Sequence, residues 1–244
     1  GYQAGYNNTT ALANTFVGKA AGYSNTTGDQ HTALGQNALF SNNTGDSNTA
    51  LGSDSMYTNT TGHGSVAIGR GALYSNTSGI NNIAIGPYSA ASATAALFSN
   101  TTGSYNIALG KGALHSNTTA SQNSAVGFEA LKANTTGQRN TALGWNALLS
   151  NTTAQGNTAV GAYAGDSNTT GADNTFIGYD TAPANTTGAS NTSLGSGSLH
   201  ANTTASNNTA VGYEAGYSNT TGAQITAVGQ SALKLNTTGA YNNA

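Results

Sequence analysis

A chain of 244 residues has room for one or two ordinary domains, yet only 36% of its residues are hydrophobic and 6% charged, a poor fit to a large apolar core under a charged shell. The formal net charge is −2, and six Lys plus Arg spread along the whole length cannot form the basic stripe that nucleic acid requires. With no cysteine, disulfides and thiolate metal sites are excluded; no apolar run of about 18 residues offers a membrane span, and no leader-like segment opens the chain.

What the composition lacks, periodicity supplies. Glycines that follow Leu, Val or Ile stand at Gly18, Gly35, Gly52, Gly69, Gly86, Gly110, Gly127, Gly144, Gly161, Gly178, Gly195, Gly212 and Gly229. Every step is 17 residues except the 24 from Gly86 to Gly110, and Gly1 lies 17 before Gly18. The chain therefore reads as a single array of 14 repeats over 1–244, the long step carrying a seven-residue insertion at Ser89–Ala95 that loops out. Both ends fall inside a repeat, so the array reads as an excerpt of a longer fibre.

From its glycine the unit runs G-x-x-A-L-x-S-N-T-T-G-x-x-N-T-A-(L/V). After the glycine comes a first apolar pair, such as Ala147–Leu148, expected as a short strand. Ser-Asn-Thr-Thr-Gly follows as a corner, because Asn and Gly tolerate left-handed backbone. A second apolar patch, Asn140–Leu143 in one repeat, is expected as another strand of about 4 or 5 residues. Alternation would turn Leu34, Leu51, Ile68, Ile85, Leu109, Val126, Leu143 and Val160 inward as one core row. The Asn column at Asn140, Asn157, Asn174 and Asn191 would form an amide ladder. A lone coil holds too few apolar side chains to offset its ordering entropy, so the fold class predicted is an all-β parallel β-solenoid, or β-roll, with one coil per repeat, spanning about 65 Å at strand spacing.

Asn-Thr-Ala-Val-Gly and Ser65–Gly69 (Ser-Val-Ala-Ile-Gly) resemble the head repeats of trimeric autotransporter adhesins and similar arrays in phage tail fibres. The resemblance implies parallel β-rolls that associate as homotrimers and bind host surfaces.

One N-x-S/T sequon recurs in every repeat, at Asn8, Asn25, Asn42, Asn59, Asn76, Asn100, Asn117, Asn134, Asn151, Asn168, Asn185, Asn202, Asn219 and Asn236. These are candidate acceptors for covalent N-glycans in a secreted chain, though the same phrase also makes a good turn. The eight acids are scattered without an acid–base pair, and His31, His63, His115 and His200 are expected to face solvent, so no catalytic, cofactor or metal residue is assigned. Tyr6, Tyr23, Phe40, Tyr57, Tyr74, Phe98 and Tyr217 share a column, as edge packing or as a stacking surface. These readings point to a structural protein of an extracellular or cell-surface fibre that self-associates into a filament or homotrimer. An adhesin or phage fibre shaft is one alternative, and an ice-binding solenoid presenting threonine rows is another.

Overall fold

The structure, a computed structural model, describes residues 1–86 and 94–244. It contains two compact units, Gly1–Asn123 and Ser124–Ala244, built on the same plan. The first holds β1 (Thr15–Val17), β2 (Thr32–Leu34), β3 (Thr49–Leu51), β4 (Val66–Ile68), β5 (Ile83–Ile85) and β6 (Ile107–Leu109). The second holds β7 (Ser124–Val126), β8 (Thr141–Leu143), β9 (Thr158–Val160), β10 (Thr175–Ile177), β11 (Thr192–Leu194), β12 (Thr209–Val211) and β13 (Thr226–Val228). Within each unit consecutive strands pair in parallel, Thr on Thr and Ala on Ala, as Thr141↔Thr158 and Ala142↔Ala159 do. This is the expected β-solenoid with one coil per repeat. The insertion does not disturb the register, since β5 and β6 still align Ala84 with Ala108; of Ser89–Ala95, all but Thr94 and Ala95 lie outside the described residues. No helix among the described residues is long and apolar enough to cross a membrane.

Two expectations are corrected by the strands. Each described coil carries one strand of three residues, not two of 4 or 5. The Ala-Leu patch is instead a curl in which alternate residues are left-handed, as at Asn146 (φ 55°) and Leu148 (φ 51°). That alternation points backbone groups along the stack, where Asn146 N donates to Phe128 O at 2.9 Å and Leu148 N to Ala164 O at 3.0 Å. A left-handed leucine costs about 1–2 kcal/mol. Leu148 is fully buried, and that burial is worth about 1.5–3 kcal/mol, enough to hold it there.

The second correction concerns the strand face. The interior row is the central alanine, with Ala33, Ala50, Ala67, Ala125 and Ala159 fully buried. Leu34 (48% exposed) and Leu143 (49%) point outward, as do the flanking Thr positions, all of which an inward reading misplaces by one residue. The physical reason is lateral room: a 17-residue coil is so thin that a methyl group from the strand already meets the buried leucine of the curl. Leu143→Asp is therefore expected to leave the folding stability of the chain, read at a dilution where parent and variant are both monomeric, within about 0.5 kcal/mol of the parent. A denaturant midpoint shifted by several times that amount would restore Leu143 to the core.

Size complementarity across this thin interior is explicit. Most coils pair a curl leucine with a strand alanine, as Leu148 with Ala159, whereas the next coil pairs Gly165 with Phe176. A Cβ at Gly165 would lie 2.4 Å from Phe176 Cδ2, and Phe176 is fully buried. Gly22 and Phe16 stand in the same conflict, again at 2.4 Å. The repeat glycine itself marks the closest approach of the coils: at Gly144 (φ +146°) a Cβ would fall 2.4 Å from Gly161 O, so backbone stacks on backbone there.

Candidate functional surfaces

The sequon column is the centre of the coil rather than its coat. Asn25, Asn42, Asn59, Asn76, Asn100, Asn117, Asn134, Asn151, Asn168, Asn185, Asn202 and Asn219 are all 0% exposed. Each makes the same contacts where they are resolved: Asn42 Nδ2 donates to Asn25 Oδ1 (2.8 Å) and to Gly45 O (3.1 Å), and Asn185 Nδ2 to Asn168 Oδ1 (2.8 Å) and Gly188 O (3.0 Å). The amide nitrogen that would carry a sugar is thus spent inside the stack. That placement corrects the expectation of a glycan row for these residues: a sugar on such an Asn would have to open two coils. Asn8 is exposed and Asn236 half-buried, the latter bonded to Asn219 Oδ1 at 2.8 Å. The expected amide ladder is real but belongs to this column. In the other column the amide bonds mainly backbone, Asn157 N donating to Asn140 Oδ1 (2.9 Å) and Asn157 Nδ2 to Gly171 O (2.9 Å), with one amide–amide bond from Asn106 Nδ2 to Asn82 Oδ1 (3.2 Å). Peptide mapping of chain secreted from a glycosylating host should accordingly find Asn25 to Asn219 unmodified in the folded protein; occupied sites would refute the ladder.

His31 replaces an asparagine of that second column and, contrary to expectation, is buried. Its Nδ1 accepts from Asn48 N at 3.2 Å, as Asn140 Oδ1 does from Asn157 N, so a neutral imidazole stands in for an amide. Burial, ahead of the opposing pull of Gly45 O, Asp46, Asn48 and Asp29, lowers its pKa below 6.5. The folded form thus holds its proton less tightly than the unfolded chain. Stability is full above about pH 6.5 and falls as pH drops through that value, levelling off below the folded pKa. His31→Asn should remove this acid sensitivity from the neighbouring coils, read as an unfolding midpoint that no longer falls from pH 7 to 5.

Two ring columns differ in what they expose. Tyr6, Tyr23, Phe40, Tyr57, Tyr74, Phe98 and His115 stack face to face, with centroids 5.0–5.5 Å apart. Each interior ring is covered on both faces by its neighbours, which leaves only edges for a ligand and removes the case for a sugar platform along the column. A cavity of about 360 Å³ flanks it, lined by Asp54, Arg70, Gly71, Tyr74, Phe98, Ser99 and His115. Among the other histidines, His200 stacks on Tyr217 (4.6 Å) and lies 3.3 Å from Asp180, while His63 is exposed.

The second column was not found from the sequence. It lies one residue after the repeat glycine in Ser124–Ala244, reading Phe128, Trp145, Ala162, Tyr179, Ser196, Tyr213. Trp145 is 51% exposed, Tyr179 60% and Tyr213 53%. The signal was present as ring and small residue in alternate repeats from Trp145 onward.

Among the described residues no cluster of three His, Cys, Asp or Glu side chains could hold a metal. No family model, curated protein or solved structure matches the chain.

Proposed function

We propose that the chain is a structural segment of an extracellular or cell-surface fibre, acting as a self-associating shaft and not as a catalyst. The observation that supports this most is the uniformity of the interior: coil after coil makes the same amide ladder, the same backbone bonds at the curl and the same parallel pairing, as Asn42, Asn59 and Asn76 do in succession. Repetition of that kind adds length and stiffness, whereas an active site needs one coil to differ from the rest. The outward row Leu34, Ile68, Ile85 in the first unit and Leu143, Leu194, Val228 in the second lies on regular sheet faces that a second copy can cover. A homotrimer or a laterally packed filament would both bury it.

The test is sedimentation of the purified chain beside the double variant Leu143→Asp/Leu194→Asp, with electron microscopy of both. The parent is expected to form a defined oligomer or thin filaments and the variant to remain monomeric with an unchanged strand spectrum. A parent that stays monomeric at high concentration overturns the self-association, and a variant that associates like the parent overturns the assigned face.

A further inference from the structure

From Trp145 onward, the position after the repeat glycine holds an exposed ring in alternate coils of the Ser124–Ala244 unit, Trp145, Tyr179 and Tyr213, with Ala162 and Ser196 at that position in the coils between. In the coil before Trp145 the position holds Phe128, which stacks on it with centroids 4.6 Å apart. From Trp145 the corner pairs read Trp145–Asn146, Ala162–Tyr163, Tyr179–Asp180, Ser196–Gly197 and Tyr213–Glu214. Ring followed by polar side chain thus alternates with a pair whose first member is small. We propose that this corner binds a linear, neutral, β-1,4-linked polysaccharide laid along the stack, with Trp145, Tyr179 and Tyr213 as successive platforms.

The spacing carries the argument. Adjacent coils are tied by backbone bonds at this corner, Tyr163 N to Trp145 O (2.9 Å), Asp180 N to Ala162 O (3.0 Å), Gly197 N to Tyr179 O (3.1 Å) and Glu214 N to Ser196 O (3.0 Å), so the rings cannot drift along the stack. Two strand spacings come to about 9.6 Å, close to the disaccharide repeat of an extended β-1,4-linked chain. A polymer in that conformation returns the same sugar face to every second step, in phase with the rings. A coiled α-linked polymer leaves the straight row after one contact.

The chemistry agrees with the spacing. Ala162 and Ser196 put no ring beside Tyr179 in its own column; Tyr163 meets it edge-on at 6.3 Å. One face of Trp145 is taken by Phe128, 4.6 Å away. Ala162 and Ser196 place no ring of the column against the sides of Trp145, Tyr179 and Tyr213 that adjoin them, and there a π-face can meet the axial C–H bonds of a pyranose. Asp180 and Glu214 sit one residue after Tyr179 and Tyr213 and can hydrogen-bond sugar hydroxyls. Lys234 is already paired with Glu214, and Asp180 lies 3.3 Å from His200, so the corner offers no cationic cluster of the kind an anionic polymer needs. The inference does not rest on the fibre reading, since it concerns the corner and not the sheet face.

Trp145 is the single tryptophan of the chain, so its fluorescence reports the site. Titration of the whole chain with cellohexaose or chitohexaose is expected to give a saturable change, and maltohexaose or polygalacturonate none. Tyr179→Ala should weaken binding roughly ten-fold, the scale of one lost stacking contact. Tyr179→Ala combined with Ser196→Tyr keeps the number of rings but shifts one by a coil, and should bind as poorly as the single variant. Circular dichroism confirms that both variants fold. The proposal is overturned if neither β-linked hexasaccharide gives a saturable signal, if maltohexaose binds equally well, or if the shifted-ring variant binds like the parent. It is also overturned if the signal follows protein concentration and not sugar, which would make the corner a contact between copies.

Discussion

Replacing Asn151 with alanine is expected to destabilise its coil by about 3–5 kcal/mol, although the substitution removes only a small polar side chain. Asn151 Nδ2 donates to Asn134 Oδ1 (2.9 Å) and Ala154 O (3.1 Å), and its own Oδ1 accepts from Asn168 Nδ2 (3.1 Å). Truncation removes the bond that Asn134 Oδ1 accepts and one of the two that Asn168 Nδ2 donates, in a site with no solvent access, while Ala154 O keeps Asn140 Nδ2 as a donor (2.8 Å) and Asn168 Nδ2 keeps Gly171 O (2.9 Å). Each buried group left unpaired costs about 1–3 kcal/mol. The ladder also polarises along its length, which raises the stake of a single gap. Because each repeat touches only its neighbours, the loss should be local. Hydrogen exchange is expected to speed up at the backbone amides of the adjoining coils, while distant coils keep their protection. Thr153→Ala, at an exposed position two residues away, should shift the unfolding midpoint by no more than about 0.5 kcal/mol. Equal midpoints for the two variants would mean that the ladder contributes nothing.

The second large effect is expected at Phe176, where alanine should cost about 3–5 kcal/mol through the cavity it leaves. Gly165→Leu alone should also destabilise, because its Cβ would fall 2.4 Å from Phe176 Cδ2 and the ring has no free space to move into. Together the two substitutions recreate the Leu148–Ala159 pairing of the preceding coil, in which Leu148 already adopts φ 51°, near the φ 58° of Gly165. The double variant should recover most of the lost stability, giving a coupling energy of a size seen only for residues in direct contact. Additive losses would show that the two positions do not share one space.

The corrections share a cause in the width of the coil. Reading Leu143 as core and Ala142 as filler follows the general rule that larger apolar side chains bury more area. Here the rule fails because the interior between strand and curl accepts one methyl group opposite one leucine, and the leucine of the curl has already taken the larger place. The same narrowness draws both asparagine columns inside, where short amides reach the next coil. The turn reading of Asn-Thr-Thr-Gly described its backbone correctly but gave no sign that the asparagine side chain points inward. His31 was misread for the same reason: as a variant in a column assumed to face water, it had no evident partner until Asn48 N was brought to its Nδ1.

By itself the sequence determined the period and the parallel in-register stacking. A fixed spacing of 17 residues with glycine at the closest approach can close only one way, and composition left no alternative core. It also contained the rings at Trp145, Tyr179 and Tyr213 and their alternation with Ala162 and Ser196. Only the tertiary structure decided which face of the three-residue strand is buried, which asparagine column forms the amide ladder and which bonds mainly backbone, and which ring column stacks without a break. Those choices depend on the distance across one coil and the contact between successive coils, and a linear pattern records which residues recur without recording how far apart the folded backbone sets them.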